Sequence, residues 1–114
     1  LNADIFQDKN LVQLSLEDNK LRKFDSNLFR GLKNLTTLYL NQNELTTDDL
    51  DESIFHDLES LEDLNLAGNK LTSIGPMLFT TLGKLNTLSL ASNQIDSIYQ
   101  FAFINLISLD TIYL

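Results

Sequence analysis

Apolar residues recur along this chain in one order: a leucine, two mostly polar residues, a leucine, one polar residue and a leucine. Shifted against itself by 24 residues, the chain aligns with itself almost throughout. Residues 11–34 read LVQLSLEDNKLRKFDSNLFRGLKN and residues 35–60 read LTTLYLNQNELTTDDLDESIFHDLES. Residues 61–84 read LEDLNLAGNKLTSIGPMLFTTLGK and residues 85–108 read LNTLSLASNQIDSIYQFAFINLIS. A fifth block opens at Leu109 as LDTIYL, and LNADIFQDKN before Leu11 is the tail of an earlier one. The shared template is LxxLxLxxNxLxx(I/F)xxxxFxxLxx. The chain is therefore one segment, 1–114, of about four full repeats with partial repeats at both ends.

The period changes within each block. The last two leucines of LxxLxL are two residues apart, the spacing of a strand with one buried face. Leu14 and Leu16, Leu38 and Leu40, Leu64 and Leu66, and Leu88 and Leu90 are expected to point inward. One block cannot bury such a face alone. Stacked blocks make a parallel sheet over a continuous leucine core. The fold class predicted is α/β, a curved solenoid with a parallel sheet inside the curve and irregular or short helical segments outside it.

Two further residue types recur. Asn19, Asn43, Asn69 and Asn93 stand where the chain turns away from the strand. An asparagine side chain both donates and accepts, so stacked copies can satisfy backbone groups of their own and the neighbouring block. Phe29, Phe55, Phe79 and Phe103 recur late in each block and are expected to stack as an aromatic spine. Phe6 takes that place in the leading partial repeat, where Lys9 replaces the leucine found in later blocks. Both sets are assigned to structure, not to ligand binding.

The second block is two residues longer, and the extra length falls in TTDDLDESI between Leu45 and Phe55. It is expected to be a surface bulge. Its carboxylates make calcium conceivable, but the spacing fits no EF-hand. Gly75-Pro76 marks a turn peculiar to the third block.

These blocks resemble the leucine-rich repeat family, in its 24-residue class with the late phenylalanine. The class includes Toll-like receptors, Slit-type guidance proteins, small matrix proteoglycans and neuronal adhesion receptors. The resemblance implies a solenoid that binds a protein ligand or co-receptor through its concave face or edges. It implies an extracellular or cell-surface setting, in a receptor or adhesion ectodomain, with a secreted matrix scaffold as the alternative and a cytosolic adaptor third. Family members carry cysteine-bonded caps. This chain has no cysteine, so the resemblance marks it as an internal piece of a longer solenoid.

The positions left outward by the template are the candidates for recognition. They include Gln13, Ser15, Glu17 and Asp18 in the first block, and Thr37, Tyr39 and Asn41 in the second. Glu62, Asp63 and Asn65 follow in the third, Thr87 and Ser89 in the fourth, and Thr111 and Tyr113 in the fifth. Tyr39 and Tyr113 are the expected hot spots, since aromatics are enriched there. Glu17, Asp18, Glu62 and Asp63 bias this face acidic, which suits a basic partner patch.

Charge and composition narrow the classes. A formal net charge of −8 excludes the basic footprint that nucleic acid requires and gives no electrostatic grip on anionic lipid. No apolar run approaches the length of a membrane span. No cofactor, metal ligand set or catalytic group is expected. The single histidine, His56, repeats nowhere, and no serine or threonine has a base at a known spacing. Asn34-Leu35-Thr36 is a glycosylation sequon. It accepts a glycan if the chain is secreted, though chance alone supplies about two in such a composition.

Overall fold

The computed structural model describes residues 5, 6 and 8–114. Residues 1–4 and Gln7, in the leading partial repeat, lie outside them. Among the described residues seven short strands are formed: β1 (Gln13–Ser15), β2 (Thr37–Tyr39), β3 (Asp63–Asn65), β4 (Ser73–Ile74), β5 (Thr87–Ser89), β6 (Ser97–Ile98) and β7 (Thr111–Tyr113). Strands β1, β2, β3, β5 and β7 make one parallel sheet in that order. Their register matches repeat to repeat: Leu14 pairs with Leu38, Leu38 with Leu64, Leu64 with Leu88, and Leu88 with Ile112.

The period of two explains which side is buried. Leu38, Leu64 and Leu88 in mid-strand are fully buried, and so are Leu40, Leu66 and Leu90 just beyond. The first-block equivalents, Leu14 and Leu16, are only half-buried because they lie near the open end of the stack. Leu45, Leu58, Leu71 and Leu82 fill the middle, and the phenylalanine spine closes the outer side.

The curve follows from two spacings. Paired strands sit about 4.8 Å apart. On the outer side the rings of Phe6, Phe29, Phe55, Phe79 and Phe103 stack with centroids 6.3, 6.4, 6.5 and 6.1 Å apart. A repeat that is wider at the ring than at the strand bends the stack with the sheet inside. Phe24 adds an edge-on contact to Phe29 at 6.0 Å.

The turn after each strand is held by its asparagine. The Asn69 amide nitrogen donates to the carbonyls of Leu40 and Leu66, each at 3.0 Å, and to Ala67 at 3.3 Å. Its oxygen accepts from the Leu45 N–H at 3.0 Å. Asn43 and Asn93 repeat the pattern: each donates to three carbonyls. Asn43 accepts from Asn19 and Leu21, and Asn93 from Leu71. Asn19, at the exposed first turn, donates only to Glu17 among the described bonds.

Three features refine the expectations. The two extra residues of the second block give the expected surface turn a regular form. They coil into a 3-10 turn at Thr47–Asp49, where Asp49 Oδ2 accepts from both the Thr46 N–H and hydroxyl. Leu50 thereby keeps the core place that Phe24 and Ile74 hold in neighbouring blocks, and Ile54 is buried behind it. Secondly, β4 and β6 form a small second parallel sheet outside the main one. Thirdly, Lys9, where later blocks have a core leucine, is exposed and ties its own partial repeat to the next block. Its Nζ donates to the carbonyls of Phe6 at 3.2 Å and Arg30 at 2.8 Å.

Candidate protein-binding surface

The outward residues of the main sheet form two straight columns. Gln13, Thr37, Asp63, Thr87 and Thr111 stand in register, as do Ser15, Tyr39, Asn65, Ser89 and Tyr113. Parallel in-register pairing carries each column across all five repeats on one concave face. None of these side chains is needed by the core, so their identity is free to serve recognition.

Two polar contacts lie on this face, one joining the columns and one at their rim. The Tyr39 hydroxyl donates to Asp63 Oδ2 at 3.2 Å, across a diagonal of the sheet. The Asn41 amide donates to Glu17 Oε2 at 3.1 Å, while Asn41 Oδ1 is out of contact with solvent and has no partner. The Asp63 carboxylate raises the Tyr39 pKa above its ordinary value of 10.0, reinforced by partial burial, by the hydrogen bond itself and by the Glu17 charge. Asp63→Asn is expected to bring the Tyr39 titration down toward 10, followed through its phenolate absorbance. An unmoved transition would show that the contact does not form in solution. Gln13, Leu14, Ser15, Thr37 and Tyr39 border a shallow hollow of about 260 Å³ at this end of the face.

Not every expected position lies on the strands. Glu62 is exposed just before β3. Glu17 and Asn41 lie past the strand ends, and Asp18 has turned out of the sheet plane with φ 57°. Gln42, Gly68 and Ser92, at the same template position, share that left-handed backbone. At Gly68 it accompanies close approach: a Cβ there would stand 2.5 Å from the Gln42 amide nitrogen. Asp18 thus belongs to the rim of the concave face.

Asn34 is exposed, and the Thr36 hydroxyl of its sequon donates to the Val12 carbonyl at 3.2 Å. His56 on the outer side meets the Thr80 hydroxyl at 3.4 Å. Among the described residues no three His, Asp or Glu side chains are grouped to hold a metal, and no helix is long and apolar enough to cross a membrane. A groove of about 300 Å³ beside the inserted turn, between Asp48, Glu52 and Gly75, was not foreseen from the sequence. Its walls come from corresponding stretches of two neighbouring blocks, 47–52 and 71–78, which stacking sets side by side.

A curved parallel solenoid with an in-register polar face defines a repeat-built binding scaffold. The sequence profile of the leucine rich repeat family matches residues 9–71, 46–95 and 59–114. The chain belongs to the leucine-rich repeat family. It is 44% identical to podocan of Mus musculus over 64 residues, covering 56% of this chain and 10% of podocan. It is 43% identical to keratocan of Gallus gallus over 61 residues, covering 54% of this chain and 17% of keratocan. A chain in the structure of the Toll–Spatzle complex, a molecular hub in Drosophila development and innate immunity, superposes with a TM-score of 0.88 at 35% identity. That match covers 91% of this chain and 14% of the other. The chain thus spans under a fifth of the length of these relatives.

Proposed function

We propose that this segment is a non-enzymatic protein-binding module in the ectodomain of a cell-surface receptor or adhesion protein. The carrying observation is the pair of in-register columns, which hold Tyr39, Asp63 and Tyr113 on a face the core does not use. The ligand is captured there, with Gln13, Ser15, Thr37, Asn65, Thr87, Ser89 and Thr111 as shape-complementary surroundings. Glu17, Asp18, Asn41 and Glu62 line the adjoining rim. The likeness to a chain of the Toll–Spatzle complex supports this reading.

No Lys or Arg stands in either column, while Asp63 does, flanked by Glu17 and Glu62. A basic ligand surface fits, and its capture weakens with added salt. A secreted matrix scaffold is the second reading, favoured by the likeness to podocan and keratocan.

The test is a binding screen of the immobilised chain against secreted and cell-surface ectodomains. A genuine concave-face ligand loses about tenfold or more in affinity with Tyr39→Ala and is indifferent to Lys33→Ala on the outer side. Ligands unaffected by Tyr39→Ala and Tyr113→Ala would overturn the site. The compartment has its own test: protein isolated from its source carries a glycan at Asn34, visible as a mass lost on enzymatic deglycosylation. An unmodified Asn34 together with a cytosolic location would sink the ectodomain reading.

A further inference from the structure

Charge is concentrated in one block. Residues 35–60 hold seven carboxylates and no Lys or Arg. Five of the seven are engaged within the molecule. Glu44 faces Lys70 at 3.7 Å, and Glu59 faces Lys33 at 3.4 Å. Asp49 accepts from Thr46, Asp51 from Ser53, and Asp57 from the Gly31 N–H at 2.8 Å. The remaining two, Asp48 and Glu52, make no side-chain hydrogen bond or ion pair among the described residues.

Those two are also the carboxylates that border the groove of about 300 Å³ beside the inserted turn. Its other lining residues are mostly apolar: Leu50, Leu71, Ile74 and Leu78. Thr47 fixes one wall to the other. Its hydroxyl accepts from the Thr72 and Ser73 N–H groups at 3.0 and 3.1 Å and donates to the Ser73 carbonyl at 3.2 Å. Gly75 lets Glu52 lie against the opposite wall, since a Cβ there would overlap the Glu52 carboxylate. No Lys, Arg or His lines the groove. It lies between the second and third blocks, each with a neighbour on both sides, so a longer stack would not cover it.

We propose that this groove takes a basic side chain, arginine or lysine, presented by a protein ligand. The inference rests on the protein-binding reading and adds a second contact, on the flank of the solenoid instead of its concave face. Such a side chain has an apolar stem and a cationic head. The stem matches the leucine and isoleucine lining, and the head meets two carboxylates that nothing in the molecule satisfies. An apolar side chain seated there would strip water from Asp48 and Glu52 without replacing its hydrogen bonds. An acidic one would be repelled. A groove at the small end of ligand pockets has room for one side chain and not for a helix. Walls already tied together by Thr47 need little ordering when the side chain arrives.

The probe is Nα-acetyl-arginine methylamide, titrated into the isotope-labelled chain and followed through amide chemical shifts. Shifts are expected to centre on 47–52 and 71–78, with a Kd on the order of 1–10 mM. The norleucine analogue keeps the stem without the charge and should bind about fivefold more weakly or worse. Asp48→Asn with Glu52→Gln should weaken arginine binding about tenfold and leave the remaining spectrum in place, because neither carboxylate holds the fold together. Asp110→Asn, which removes an exposed charge elsewhere, should change nothing. No saturable shift at the groove, equal binding of the norleucine analogue, or binding that survives the double variant would each overturn the proposal. Shifts centred on Tyr39 and Asp63 would also overturn it, while supporting the concave face as the basic-ligand site. Shifts at the groove that persist in Tyr39→Ala would support it whatever becomes of the concave face.

Discussion

Replacing Phe55 by alanine is expected to lower the unfolding free energy by about 3–5 kcal/mol. Phe55 is fully buried. Its ring lies between Phe29 at 6.4 Å and Phe79 at 6.5 Å, within 17° and 8° of parallel. Truncation opens a cavity at the middle of the spine and takes a stacking partner from both neighbours, each contact worth about 0.5–1.5 kcal/mol beyond burial. Domains of this size have only about 5–15 kcal/mol to lose. Because each repeat touches only its neighbours, a gap at Phe55 also divides the stack in two. Urea unfolding should therefore show both a lower midpoint and a shallower slope. Phe103 supplies the internal comparison. It is half-buried and stacks on one ring, Phe79, so Phe103→Ala should cost less than half as much with the slope unchanged. Equal losses at the two positions would mean that the spine is not where the stack couples.

Much of this architecture is legible because the repeat multiplies weak signals. One LxxLxL motif is ambiguous. Five in succession, the second block two residues longer than the rest, place Leu38, Leu64 and Leu88 on the same buried line, and the observed register carries them there. The paired strands β4 and β6 escape notice for the converse reason. Each is two residues long, Ser73–Ile74 and Ser97–Ile98, too short to show alternation. The 3-10 form of the inserted turn escapes notice because counting locates extra residues without saying which neighbour retains the core place. Leu50 does so, after a 3-10 turn absorbs the excess.

The binding face was legible as positions and not as contacts. The template places Tyr39 and Asp63 outward, but their hydrogen bond joins residues 24 apart across a diagonal, since Tyr39 pairs directly with Asn65. The left-handed turn at Asp18, Gln42, Gly68 and Ser92 had one visible sign, the glycine of the third block. Three of the four residues there carry side chains that hide it. Exposure on the outer side was hidden in another way: reading that side only as filler for the core leaves Phe101 and Ile107 looking like more of the same, and only their exposure separates them from Phe103.

Asn69→Ala is expected to cost about 2–3 kcal/mol, although it removes one small polar side chain. The residue is 5% exposed. Its loss strands the Leu45 N–H, a buried donor whose missing partner costs about 1–3 kcal/mol, and takes one of two donors from the carbonyls of Leu40 and Leu66, which keep Asn43 and Asn93. Asn19→Ala, at an exposed turn with one described donation to Glu17, should cost about 1 kcal/mol or less.

Asn69→Asp separates the hydrogen bonding from the packing, because the shape is kept. One carboxyl oxygen can still accept from Leu45, but the other replaces the amide that donates to the Leu40, Leu66 and Ala67 carbonyls. An ionised oxygen facing three carbonyl oxygens is repelled, and burial opposes its charge. The folded state therefore holds the introduced proton more tightly than the unfolded chain does, where an aspartate titrates near about 3.9. With the folded value raised, the native state binds more protons across the window above about pH 4, so stability relative to wild type falls as pH rises through it. Below that window the protonated group can donate one bond, and the deficit should be smallest. Urea midpoints of both proteins across this range, taken as a difference, cancel the native carboxylates. A deficit independent of pH would mean that the turn opens to water around the introduced group, and that the asparagine ladder binds the repeats less tightly than its hydrogen bonds indicate.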